Sequence, residues 1–219
     1  MGPTTIVTTN ITTDIPTVFH LFEIAQPKEG LYFSLIHFQI DDLGIHLVLP
    51  QTWQAIDLYQ AIAHDRESMG KWLPWAYNMK SSADEAKFIK TIQADMVKER
   101  MIVLTILVNG EPCGMIDLHN LITNQKGEIG YWLSSKYQCR GIVTKSVLEV
   151  CKYAFSELNL KYVDLIVAVE NGKSERVAKN ADFKLMGIKQ HLIHHHTMAG
   201  KIFRKINPKT TCLYSAASM

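Results

Sequence analysis

Eight consecutive apolar or β-branched residues, Met101 to Val108 (MIVLTILV), run directly into Asn109-Gly110. An unbroken run of this kind reads as a strand buried on both faces. Asn-Gly is the strongest short-range hairpin signal, because a type I′ turn needs positive φ at both central residues. The chain must then return antiparallel, from Pro112 to His119. A second turn, TNQKG, leads to EIGYWL (Glu128 to Leu133), a third strand. The middle of the molecule is therefore an antiparallel meander.

The flanks can be placed around it. IHLVLP alternates as a strand and stops at Pro50. TWQAIDLYQAIAHD follows with Ala55, Ile56, Tyr59 and Ile62 at helical spacing, Pro50 and Thr52 marking the start. KWLPWAYN is an aromatic connection. SSADEAKFIKTIQADMVKER predicts a helix opening with Ser82, with Asp84 and Glu85 in its first turn and Ala86, Phe88, Ile89, Ile92 and Met96 as its apolar face. After the meander, Val143, Val147, Val150, Cys151, Ala154, Phe155 and Leu158 line a helix. KYVDLIVAV (Lys161 to Val169) is a buried strand, so a parallel crossover joins it to Glu128–Leu133. SERVAKN predicts a short helix from Ser174, with Asn180 as a left-handed cap. FKLMGIKQHLI and TTCLYSA are expected as closing strands, separated by a basic loop, HHHTMAGKIFRKINPK. The fold class is α+β, a mixed, mostly antiparallel central sheet flanked by helices. Residues 1–34 read as an N-terminal extension and 35–219 as the folded domain.

Composition excludes several functions. The chain has 219 residues, enough for one sizeable core, and a formal net charge of +2 without a basic stripe, which argues against nucleic acid. No apolar run is long enough for a membrane span, and the N-terminus does not read as a signal peptide. Cys113, Cys139, Cys151 and Cys212 are scattered without a CxxC pair. A reducing cytoplasm and no metal are the expectations.

The chemistry concentrates in YQCRGIVTKSV, Tyr137 to Val147. It is a strand-to-helix loop, and such a loop leaves backbone N–H groups unpaired at a helix start, where they bind anions. Gly141 permits close backbone approach. Taken alone, the same residues also describe a plain strand-to-helix turn. With EIGYWLSSKYQCRGIVTKSV, AVENGKSERVAKNADF and DRESMGKWLPW together, the chain resembles the GNAT superfamily of N-acetyltransferases over about Leu35 to Phe183. More narrowly it resembles the Rim-type branch that acetylates ribosomal-protein N-termini.

That resemblance implies acetyl-CoA as co-substrate and an acyl-CoA N-acyltransferase fold. It implies a protein N-terminal α-amino group as acceptor; a small amine (an antibiotic or polyamine) and a non-catalytic acyl-CoA-binding module are the alternatives. A homodimer is a further implication. The pyrophosphate loop would be Gln138, Cys139, Arg140, Gly141, Ile142, Val143 and Thr144, with Val143 where the superfamily prefers Gly or Ala. The main chain of Trp132 and Leu133 would pair with the pantetheine arm, and a backbone N–H near Leu133 would meet the oxyanion. Asn171 would bond the same arm; without the resemblance it belongs to a turn. Ser174 is the candidate acid and equally a helix cap. Glu128 is the candidate base, sharing a strand face with Gly130 and Trp132; it reads equally as an exposed strand-end carboxylate. Ala178 stands where many members carry a tyrosine acid. Leu192 stands where some Rim-type enzymes have glutamate, beside His191 and the run His194 to His196, which reads as a solvated loop. Trp72, Leu73, Pro74 and Trp75 would flank the acceptor, or pack the core. Cys139, at a helix start, is expected to form a mixed disulfide with oxidised coenzyme A.

Overall fold

The computed structural model describes residues 34–98, 101–193 and 198–210. The central meander forms as expected. Strands β1 (Ser34–Ile40), β2 (Leu43–Val48), β3 (Ile102–Val108), β4 (Glu111–Ile122) and β5 (Lys126–Leu133) pair antiparallel in that order. Asn109 and Gly110 have φ of 49° and 86°, the two positive values that the I′ turn requires. Every residue of β3 is buried. Helices α1 (Ala55–Gly70) and α2 (Ser82–Val97) lie between β2 and β3 in the chain. Helix α3 (Ile142–Ser156) crosses from β5 to β6 (Tyr162–Ala168), and β6 runs parallel to β5. Helix α4 (Gly172–Asn180) and strands β7 (Lys184–Ile193) and β8 (Met198–Ile206) complete the eight-stranded sheet, in the order β1-β2-β3-β4-β5-β6-β8-β7. Among the described residues, the β5–β6 contact is its one parallel pairing.

Several expectations are corrected. The buried face of α1 is Ala55, Leu58, Ile62, Asp65 and Met69, while Ile56 is 58% exposed. Leu58, Ile62, Asp65 and Met69 repeat at spacings of four, three and four, a tighter stripe than one through Ile56. On α2 the buried stripe is Glu85, Ile89, Ile92 and Met96, and Phe88 points outward. The helix opens with Ser82 as expected, and its cap is Ser81, whose hydroxyl accepts from Asp84 N. The left-handed residue after α4 is Asp182 (φ 60°), not Asn180. The largest departure is β8, which occupies most of the expected basic loop. Its cations are paired, and this disguised the strand: Arg204 makes two bonds to Asp164, at 2.7 and 2.8 Å, and Lys201 bonds Glu175. Apart from Ser34, which opens β1, the expected extension lies outside the described residues, as do His194 to His196 and nearly all of TTCLYSA.

Glu85 sits in the α2 stripe at 1% exposure, and neither carboxylate oxygen has a hydrogen-bond partner among the described residues. Burial raises its pKa from 4.5 to about 7. An acid whose folded pKa exceeds its unfolded one weakens folding progressively as pH rises from the lower value through the higher. Glu85→Gln should therefore add roughly 2–3 kcal/mol of stability at pH 8 and much less at pH 4. Urea unfolding at the two pH values measures this, and an equal effect at both would contradict it.

Candidate active site

β5 and β6 pair only at their beginnings, from Lys126↔Tyr162 to Glu128↔Asp164. Beyond that point each strand stays with its outer neighbour: β5 with β4 as far as Gly114↔Leu133, and β6 with β8 as far as Ala168↔Gly200. A cavity of about 840 Å³ opens between them, bounded by Ile129–Leu133 on one side and Leu165–Ala168 on the other. An exposed row of strand N–H and C=O groups is a template for an extended ligand.

Which backbone groups face the gap follows from strand alternation. The Trp132 carbonyl lies against β4, where a β-carbon on Gly114 would come within 2.4 Å of it. Ser134 N likewise bonds Cys113 O at 2.8 Å. Tyr131 and Leu133 therefore turn their backbone groups to the gap, and there the Leu133 carbonyl accepts Gln138 Nε2 at 2.9 Å. Of the two expected main-chain partners, Leu133 faces the cavity and Trp132 faces β4. Tyr131 is the residue that the sequence reading missed.

The loop at the wide end is anchored from outside. The buried Asp65 carboxylate accepts Ser135 N at 2.6 Å, and Tyr137 Oη donates to Glu111 at 2.8 Å. Cys139 and Gly141 both have left-handed φ, 63° and 79°. Turns of this kind aim successive amides to one side, and Gly141 leads directly into α3. The first intrahelical bond is Lys145 N to Gly141 O, so the amides of Ile142, Val143 and Thr144 precede the helical ladder. Those three residues, with Gln138, Cys139 and Gly141, line the cavity. Arg140 is exposed and is not part of the lining. Lys173 reaches across to Gln138 Oε1 at 3.0 Å, which places a cation at the same end.

Asn171, not Ser174, caps α4: its Oδ1 accepts Ser174 N at 3.1 Å. Its Nδ2 can donate to a ligand. Ser174 lies in the first turn and meets Tyr131 Oη at 2.5 Å. Burial pushes the Tyr131 phenol up to about 12, overcoming the Ser174 hydrogen bond that lowers it, so it is neutral at physiological pH. Ala178, one turn further on, is fully buried.

Glu128 lines the narrow end, opposite His119 in the β4–β5 register. Its Oε1 is 3.4 Å from His119 Nε2, and its Oε2 accepts Asn120 Nδ2 at 3.2 Å. His119 Nδ1 is 2.5 Å from Asp117 Oδ2. Burial would lower the His119 pKa, but the hydrogen bonds and charges of Asp117 and Glu128 carry it up to about 10. Burial would raise Glu128, and here the His119 bond and charge, then Asn120 and Lys126, hold it below the usual range. Glu128 is thus an ionised carboxylate at neutral pH, suited to attract a cation or orient a water. Trp72 and Leu73 also line the cavity, whereas Trp75 packs edge-on against Trp132, centroids 6.3 Å apart. Leu192 lines the cavity, and the exposed His191 does not. Asp117 and His119 were not recognised in the sequence. Their alternation on the strand opposite Glu128 was the available signal.

A family model described as an acetyltransferase (GNAT) domain matches residues 46–184. The chain is 36% identical over 148 residues to the putative ribosomal N-acetyltransferase YdaF of Bacillus subtilis (strain 168), covering 65% of this chain and 78% of that one. The microcin C7 self-immunity acetyltransferase MccE, solved with acetyl-CoA and AMP, superposes with a TM-score of 0.70 at 25% identity, covering 76% of this chain and 94% of that one. A RimL ribosomal L7/L12 α-N-protein acetyltransferase, solved with coenzyme A, shares the fold with a TM-score of 0.71 at 17% identity, covering 78% and 98%.

The Asp117–His119–Glu128 cluster has a pH signature. A histidine with a raised folded pKa gives its full stabilisation below its unfolded pKa, 6.5, and loses it as pH climbs through the folded value. The Tm deficit of His119→Gln should be largest near pH 6 and close towards pH 10. Thermal melts across that range measure it, and a deficit independent of pH would contradict the assignment.

Proposed function

Because the chain belongs to the acetyltransferase (GNAT) domain family, we propose that it transfers the acetyl group of acetyl-CoA to a protein N-terminal α-amino group, with a ribosomal protein as first candidate. The observation that carries this reading is one continuous cavity. It runs from the helix-start amides at Ile142–Thr144, along the open edge of β5, to the carboxylate of Glu128. The pyrophosphate suits the amides and the Lys173 cation. The pantetheine arm suits the free edge at Tyr131 and Leu133 and the Asn171 Nδ2. The Leu133 N–H is then a donor for the oxyanion that forms when the amine attacks the thioester carbonyl.

The acceptor chemistry fits an α-amino group. Its pKa of about 7.7–8.0, against about 10.4 for lysine, leaves a usable neutral fraction at pH 7. Glu128 needs only to draw in the ammonium form and pass its proton on through water. The relatives named as ribosomal acetyltransferases support the same acceptor, and that acceptor puts the reaction in the cytoplasm.

Acetyl-CoA should raise the Tm. A panel of N-terminal peptides and small amines, read by mass spectrometry, should show acetylation at peptide α-nitrogens. Glu128→Gln should lower kcat/KM by roughly 10²-fold or more. Preference for a small amine would sink the acceptor assignment, and an unaltered Glu128→Gln would remove Glu128 from the mechanism.

The cysteines offer a second check on the donor site. Cys113 and Cys151 are buried, and burial pushes each thiol up to about 12, so neither is a ready nucleophile. Cys139 is exposed and lines the cavity. Oxidised coenzyme A should exchange with it, giving a mixed disulfide and releasing one coenzyme A thiol. In a Cys212→Ala background, intact mass should show a single adduct that Cys139→Ala abolishes, and an adduct surviving in the double variant contradicts the placement.

A further inference from the structure

We propose that Tyr131 is a positioning residue for acyl transfer: its phenol holds the Ser174 hydroxyl as the donor to the sulfur that leaves. The inference rests on the acetyl-CoA reading above and deepens it.

Ser174 and Tyr131 come from opposite sides of the gap, one from the first turn of α4 and one from β5, past the last β5–β6 backbone pair. Both line the cavity. Their 2.5 Å bond therefore ties the two walls together where no backbone bond does. A serine hydroxyl carries one proton and two acceptor sites, and near a helix start it readily turns back onto local backbone. Either oxygen could donate in this bond; the phenol is the more acidic hydroxyl, so we take it as the donor to Ser174 Oγ. With that acceptor site filled, the serine proton is directed elsewhere, and the cavity is the open direction. A donor that itself accepts a bond is also polarised and strengthened.

In the transfer, the amine nitrogen bonds to the carbonyl carbon. The C–S bond breaks with its electron pair on sulfur. One N–H proton leaves to water near Glu128. Sulfur ends as a thiol, taking the Ser174 proton, which water restores. Tyr131 keeps its own proton throughout and never touches the reacting atoms.

The test compares Tyr131→Phe, Ser174→Ala and the double variant. Tyr131→Phe should lower kcat about tenfold, one hydrogen bond's worth, with KM for acetyl-CoA changed by less than about twofold. The double variant should be no slower than Ser174→Ala alone, because the two groups act as one unit. Full kcat in Tyr131→Phe, or effects that multiply, overturns the proposal. A second measurement needs no acceptor: calorimetric affinity for coenzyme A and for desulfo-coenzyme A. Each single variant should weaken coenzyme A and leave desulfo-coenzyme A unchanged, whereas an equal loss for both ligands marks a packing role and overturns the proposal. If wild type acetylates no acceptor yet the sulfur-specific loss is present, the functional reading fails and the Tyr131–Ser174 pair stands.

Discussion

The site depends on one constraint: β5 and β6 share backbone hydrogen bonds for three residue pairs and then part. Parting would leave unpaired backbone on both strands, an unfavourable state unless something else satisfies it. Each strand keeps a full ladder on its outer side, β5 with β4 and β6 with β8. The gap is thus held open by two intact half-sheets, and its inner edges remain available to an extended ligand. The glycine at position 114 belongs to this arrangement, because any side chain there would strike the Trp132 carbonyl and shift the edge of β5.

Around that gap the polar groups sort by position. At the wide end, amides and a lysine favour negative charge. At the narrow end, Asp117, His119 and Glu128 form a chain of alternating sign with a net negative charge, which favours an incoming ammonium. The thioester of a donor seated as proposed would lie between, where burial keeps the Tyr131 phenol neutral and Ser174 is within its reach. On the proposed reading, one cavity separates anion binding from amine binding. This is the electrostatic requirement for bringing acetyl-CoA and a cationic acceptor together.

Much of this was legible in the sequence because strong local signals were involved. Asn109-Gly110 set the β3–β4 hairpin, and the run at Gln138–Thr144 marked the loop before α3. Legibility failed where tertiary pairing overrode composition. The strand β8 was hidden because its lysines and arginine look solvated until Glu175 and Asp164 are placed beside them. Glu85 and Asp65 were hidden because a carboxylate in a helix is expected outside. In the site, Glu128 and Ser174 were singled out through the family resemblance, but their partners were not. His119 carried only the signal of its alternation with Asp117 and needed the β4–β5 register to be set against Glu128, and Tyr131 needed the approach of α4 to β5, which no one-dimensional pattern contains. The Ser174 capping role went to Asn171 because the helix begins two residues earlier than the apolar pattern suggested.

The most direct test of this account is residue-resolved amide hydrogen exchange along β5, with and without acetyl-CoA. The Tyr131 and Leu133 amides should exchange readily in the free protein and become protected on binding. Trp132, already facing β4, should be slow in both states. Protection gained elsewhere, with Tyr131 and Leu133 unchanged, would contradict the claim that the open edge of β5 seats the donor.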